Sequence, residues 1–208
     1  MKSPLPLCFL LLWLGSCHTP AHTDAGGNPK ILHQEVVYAH LADSVFAVSE
    51  ESSIADRWDF PVGKPDAKGY YDAQPFGRNV HLGEDWNAVT GGDSDLGDTI
   101  YAAANGWVYS ARHEGAGWGN ILRVIHRGDS TAEIWYESFY AHCDTMLAIR
   151  GDWVSRGQPI ATIGNADGAY WAHLHFELRT LLYQPIGGGY GSPDQGQIPP
   201  TPFIQTHR

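Results

Sequence analysis

From about Arg57 to Thr180 the chain breaks into short apolar runs, many with β-branched or aromatic residues. Gly and Asp clusters separate them, as at Gly91-Gly92-Asp93 and Gly115-Ala116-Gly117. That pattern predicts strands and turns rather than long helices. The expected strands are Gly83–Ala88, Thr99–Ala103, Gly106–Arg112, Ile121–His126, Ala132–Tyr140, Pro159–Ile163 and Leu174–Arg179. Residues two apart on a strand share a face, so His173 and His175 project together while Leu174 faces a core. The run Phe176-Glu-Leu-Arg continues that strand.

Outside this region the pattern changes. Between Ile31 and Ser53 the apolar residues Val36, Val37, Leu41, Val45 and Phe46 recur at mixed spacing, which fits a short helix or an irregular extension. The stretch from Leu181 to Arg208 is rich in Gly and Pro and shows no period, so it reads as a surface strap or loop.

The first residues read as a targeting segment. Lys2 precedes an apolar run from Leu5 to Leu14 that is too short to span a bilayer. The run ends in Leu14-Gly15-Ser16-Cys17, which resembles a lipobox, so Cys17 is the expected lipidation site. The competing reading is an ordinary secretory signal cut near Ala21. His18 is not the aspartate that favours inner-membrane retention, so the expected location is the outer membrane, facing the periplasm. The expected division is a signal peptide at 1–16, a tether and extension at 17–56, a β-rich main domain at 57–180 and a tail at 181–208.

Composition adds two exclusions. The formal net charge is −10, which argues against nucleic acid as a partner. Of the three cysteines, Cys8 leaves with the signal and Cys17 carries lipid, so Cys143 is left without an intramolecular disulfide partner.

The chemistry sits in short segments: His81-Leu-Gly-Glu-Asp85, Tyr140-Ala-His142 and His173-Leu-His175. Gly83 disfavours a helix, so His81 and Asp85 return to one side of a strand or strand-edge turn. One imidazole and one carboxylate begin a Zn²⁺ site, and a third ligand from His173 or His175 completes three, with a fourth position open for water. On an alternating strand Glu84 points away from His81. Spacing alone leaves open which of His173 and His175 binds and what His142 does.

His-x-Gly-x-Asp, Tyr-x-His and His-x-His-Phe-Glu together resemble the signature of the lysostaphin/LytM-type zinc metallopeptidases. Three further stretches are similar to that family: Asp98–Ala103 with Gly106-Trp-Val108, the loop Gly117-Trp-Gly-Asn120, and Gly151-Asp-Trp-Val-Ser-Arg-Gly-Gln-Pro-Ile160. The likeness covers about residues 58–180. It implies a mainly β fold, an antiparallel sheet domain of the duplicated-hybrid-motif type with a substrate groove. It implies zinc held by His81, Asp85 and His175, with His142 and His173 as catalytic histidines that activate water and stabilise charge on the substrate carbonyl. The implied activity is endopeptidase cleavage of peptidoglycan cross-links.

The sequence departs from the family at Trp171-Ala172, at the two aromatics within Asn165–Trp171 and at Cys143. Trp118, Trp171 and Asn120 are candidate substrate contacts, whereas Cys143 reads as a small buried residue. His113 and His126, at strand ends, are expected at the surface. Two other readings compete: a non-catalytic wall-binding or hydrolase-activating lipoprotein, and a cupin-like metal barrel that would use both His173 and His175 as ligands.

Overall fold

The computed structural model describes residues 54–115, 117–128 and 134–208. The signal segment, Cys17, the tether and the helix expected within 31–53 lie outside the described residues.

Within them the chain forms an antiparallel sheet of ten strands. These are β1 (Tyr70–Gln74), β2 (Glu84–Ala88), β3 (Thr99–Tyr101), β4 (Gly106–His113), β5 (Asn120–Arg127), β6 (Trp135–Met146), β7 (Trp153–Val154), β8 (Pro159–Ile163), β9 (Leu174–Arg179) and β10 (Gln197–Ile198). Their main order is β1-β2-β9-β6-β5-β4-β7, with β10 added beside β9 and β8 linking β3 to β6. One helix, α1 (Pro200–Thr206), follows β10. The fold is mainly β.

The strands follow from side-chain alternation. On β9, Leu174, Phe176 and Leu178 enter the main core beside Leu122, Val124 and Tyr140. The opposite face carries His175, Glu177 and Arg179, yet all six residues of the strand are buried. A sheet face that bears charge can be buried only where its groups are paired. Here Glu177 Oε2 accepts from Arg179 Nε at 2.8 Å, and Arg123 Nε donates to Glu137 Oε1 at 2.7 Å.

The tail covers this charged face. Arg179 donates to the carbonyls of Pro185 and Ile186, and Arg123 to that of Gln184. Expected as a strap or loop, residues 181–208 also carry β10 and α1, and Ile204 of the helix packs in the main core. Their Gly/Pro content hid this, because the segment is ordered by contacts with the sheet rather than by a repeat of its own.

Three expectations need correction or extension. The strand ending at Tyr140 runs on to Met146, past a register shift. Strands β1, β7 and β10 were not expected; the last two are only two residues long. His126 is fully buried rather than at the surface. Its Nδ1 donates to the Asn105 carbonyl at 2.9 Å, and its Nε2 lies 2.6 Å from Ser138 Oγ.

Candidate functional site

Three neighbouring strands bring the site together. Asp85 on β2 pairs directly with His175 on β9, and His175 pairs on its other side with Ala141 on β6. His81 lies ahead of β2 and is held by a bridge to Tyr190 of the tail. Gly83, between the two ligand positions, lets this turn lie against β9. A Cβ there would stand 2.7 Å from the Phe176 carbonyl oxygen and 2.8 Å from His175 Cε1.

The result is a tight triangle of donor atoms. His81 Nε2 is 3.0 Å from His175 Nδ1, His175 Nδ1 is 2.9 Å from Asp85 Oδ1, and His81 Nε2 is 3.3 Å from that same oxygen. A tetrahedral ion with bonds of about 2.0–2.1 Å sets its ligand atoms about 3.3 Å apart. The triangle therefore fits a small divalent cation, and among the described residues these three groups form a cluster able to hold one.

The far nitrogens agree. His81 Nδ1 donates to the Gln74 carbonyl at 2.9 Å, and His175 Nε2 donates to Glu177 Oε1 at 3.0 Å. Each ring, when neutral, is thereby fixed in the tautomer whose other nitrogen turns a lone pair to the triangle. Glu177, behind His175 and clamped by Arg179, is a partner of the site to which motif reading gave no role. The Glu after His-x-His was the only signal for it.

The electrostatics favour positive charge here. Burial alone would raise the pKa of Asp85, but hydrogen bonds from His175 and His81 outweigh it and hold the carboxyl well below its ordinary range. Burial alone would lower His175, yet its bonds to Asp85 and Glu177 raise it to about 9. A locus that stabilises an imidazolium this strongly is one that attracts a cation.

Two more imidazoles face the triangle. His142 and His173 have ring centroids 4.7 Å apart, and His142 lies 5.7 Å from His175. His173 Nε2 is 3.8 Å from Asp85 Oδ1, farther than the 2.9 Å of His175. His142 Nδ1 donates to the Trp118 carbonyl at 3.2 Å, and His173 Nδ1 to the Trp171 carbonyl at 2.7 Å. In both rings Nε2 is the acceptor left to the cleft. Burial, helped by the neighbouring His175 and His173, lowers His142 to about 3 and keeps it neutral.

Strict alternation would send His142 away from this face, because Ala141 already shares it with His175. His142 instead adopts φ 62°, left-handed backbone that is uncommon for a residue with a Cβ. This breaks the alternation and turns the imidazole toward His173 and His175. Cys143 then returns to the core and is buried.

The triangle opens onto a cleft of two adjoining cavities, about 450 and 690 Å³, which share Gln74, Asp85, Tyr170 and His173. Trp118 lines the smaller and Trp171, 70% exposed, the larger. Asn120 lines neither; its amide donates to the Asp144 carbonyl at 2.7 Å. Glu84 points away from the triangle, accepting from Thr201 N and Oγ1 at 2.9 and 2.8 Å. His113 is exposed.

Comparison with known proteins identifies the family to which this sequence is similar. The family model described as peptidase family M23 matches residues 79–188. The uncharacterized lipoprotein YgeR of Escherichia coli (strain K12) is 41% identical over 83 residues, 40% of this chain and 30% of that protein. The murein hydrolase activator NlpD of Salmonella dublin is 37% identical over 102 residues, 46% of this chain and 25% of that protein. The match thus spans under a third of either relative. A chain in the SpoIIQ–SpoIIIAH pore forming complex is similar over 72% of this chain and 92% of its own length, with a TM-score of 0.54 at 17% identity, a likeness of fold alone.

Proposed function

The chain belongs to peptidase family M23, and on that premise we propose that it is a zinc-dependent endopeptidase that hydrolyses peptide cross-links of bacterial peptidoglycan. The observation that carries this reading is the meeting of three ligand atoms, from His81, Asp85 and His175, with two further imidazoles in one cleft. His81 Nε2, Asp85 Oδ1 and His175 Nδ1 would hold the ion. Bound Zn²⁺ would polarise the scissile carbonyl and make water a nucleophile near neutral pH.

The remaining chemistry belongs to the chain. Nε2 of His142 or His173 accepts the proton of the attacking water, because Nδ1 of each ring is already committed to a backbone carbonyl. The resulting imidazolium stabilises the charge on the carbonyl oxygen. It then returns the proton to the nitrogen that leaves as an amine when the C–N bond breaks. Glu177 and Arg179 hold the His175 ring still. Trp118 and Trp171 wall the cleft and supply flat surface for the substrate.

Lipidation at Cys17 would tether the domain to the outer membrane on its periplasmic side, within reach of the wall. The lipobox supports this, as does the lipoprotein name of one relative.

The name of the Salmonella relative favours a second reading, activation of a murein hydrolase without cleavage. Completeness of the five-residue set favours the peptidase. The deciding test is digestion of intact sacculi by the zinc-loaded full chain, with analysis of the released muropeptides. The expected result is loss of cross-linked species, abolished in H142A and H173A. Intact cross-links, together with faster digestion by an added murein hydrolase that both variants still promote, would establish the activator instead.

A further inference from the structure

The family match ends at residue 188, yet the cleft wall beside His81 is built by the residues around and beyond that point. Three hydrogen bonds fasten this strap. Trp118 Nε1 donates to the Gly187 carbonyl at 3.1 Å, Leu82 N to that of Gly189 at 2.9 Å, and Gly191 N to that of Val80 at 2.8 Å. Tyr190 sits between the last two, bridged to His81, with its ring centroid 5.2 Å from the imidazole.

The hydroxyl of Tyr190 is positioned by Gln74, which also lies outside the matched span. Gln74 Nε2 donates to Tyr190 Oη at 3.1 Å, while the Gln74 carbonyl accepts from His81 Nδ1. The phenol oxygen is thus an acceptor toward Gln74. Its own proton has no protein partner among the described residues. Tyr190 is 53% exposed and lines the same cavity as His142, His173 and His175.

Such a donor is in place before an imidazolium has formed. His142 and His173 enter the reaction with Nε2 as acceptors, and Asp85 is an acceptor too. A carbonyl oxygen that gains negative charge is stabilised by preorganised donors aimed at it. Resting on the peptidase reading above, we propose that Tyr190 is a catalytic residue whose hydroxyl donates a hydrogen bond to the scissile carbonyl oxygen as charge develops there. Tyr190 keeps its proton throughout. Water adds to the carbonyl carbon, the C–N bond breaks, and the proton that reaches the leaving nitrogen comes from water through an imidazole. Gln74 is a positioning residue that fixes the phenol.

The test uses the zinc-loaded full chain, its Y190F and Q74L variants, and a phosphinate dipeptide as a tetrahedral anionic probe. Titration calorimetry reads phosphinate affinity, alongside zinc content, melting temperature, kcat and KM on a cross-linked muropeptide. Y190F should take up zinc and melt as the parent does, yet bind the phosphinate about 10- to 100-fold more weakly, as expected for a lost hydrogen bond to a charged group. Its kcat should fall by a similar factor with KM little changed, and Q74L should lie between. Equal phosphinate affinity in Y190F and the parent would overturn the proposal and reduce Tyr190 to a structural staple. A parent that holds zinc and binds the probe but leaves the muropeptide intact would sink the peptidase reading separately, with the phosphinate comparison still deciding Tyr190.

Discussion

His81 and His175 are 94 residues apart in sequence, yet His81 Nε2 and His175 Nδ1 face each other at 3.0 Å. Each ring donates from its far nitrogen, so with both rings neutral the facing atoms are lone pairs, with the Asp85 carboxylate as a third; without a metal, a proton held between His175 and Asp85 supplies the positive charge. Such an arrangement is repulsive unless a positive charge sits among the three atoms. The expected outcome is uptake of one Zn²⁺ per chain. At zinc about 1,000 times Kd, the gain in stability is about 4 kcal/mol, a rise of about 10 °C in Tm. H81A and H175A should take up no zinc, and a chelator should remove the rise from the parent protein alone. Metal analysis with thermal unfolding checks this; zinc uptake by H81A equal to the parent's would refute it.

Glu177 is fully buried and shared between His175 and Arg179. Its two effects can be separated by substitution. E177Q keeps the shape but weakens the acceptor that orients His175, so zinc affinity should fall about 10- to 100-fold. E177A leaves the Arg179 guanidinium buried without its carboxylate and should cost about 3–5 kcal/mol of stability. Competitive zinc titration and urea unfolding measure the two. An E177Q variant with undiminished zinc affinity would show that backbone packing alone aims the ring.

Gly83 explains why the motif between His81 and Asp85 carries a glycine. In G83A the new methyl would lie 2.7 Å from the Phe176 carbonyl oxygen and 2.9 Å from His175 Nε2. The backbone oxygen cannot yield cheaply, so the turn and the His175 ring must part. The expected cost is about 1–3 kcal/mol, with zinc affinity lower by on the order of tenfold. Both are read by the same titration and unfolding experiments. Zinc affinity and stability equal to the parent's would mean that the turn has room to shift.

The legible parts of this protein were those governed by local periodicity. Alternation in Leu174–Arg179 placed His173 and His175 on one face, and the β-rich pattern located most of the long strands. The placement of His142 was not legible in the same way. Its left-handed backbone reverses the side that alternation assigns, and it coincides with the register shift between β5 and β6 that spans Ala141 and His142 and with the bond from His142 N to the Trp118 carbonyl. The tail was legible only in part, for a related reason. Tyr190 and the carbonyls of Gln184, Pro185 and Ile186 matter through contacts with residues far along the chain, and Gly and Pro leave no periodic trace of such contacts.

His126 shows the same limit, with a consequence for stability against pH. Read as a surface residue, it is enclosed by the core, with its ring centroid 4.6 Å from that of Trp58. Burial, only partly offset by its bond to the Asn105 carbonyl, lowers its pKa from 6.5 to about 4. The unfolded chain takes up a proton at this residue near pH 6.5 and the folded chain only near pH 4. Between those values the unfolded state binds more protons, so stability falls as pH falls through this window. The contribution lost reaches about 3 kcal/mol by pH 4, and about 2 kcal/mol of it is gone by pH 5. Urea unfolding of the parent and H126Q at pH 7 and pH 5 isolates the effect. H126Q should start less stable by about 1–3 kcal/mol, because it disturbs the bonds to Asn105 and Ser138. It should then lose about 2 kcal/mol less than the parent on acidification. Parallel pH dependence in the two proteins would mean that other groups dominate the acid response and that His126 titrates as an ordinary imidazole.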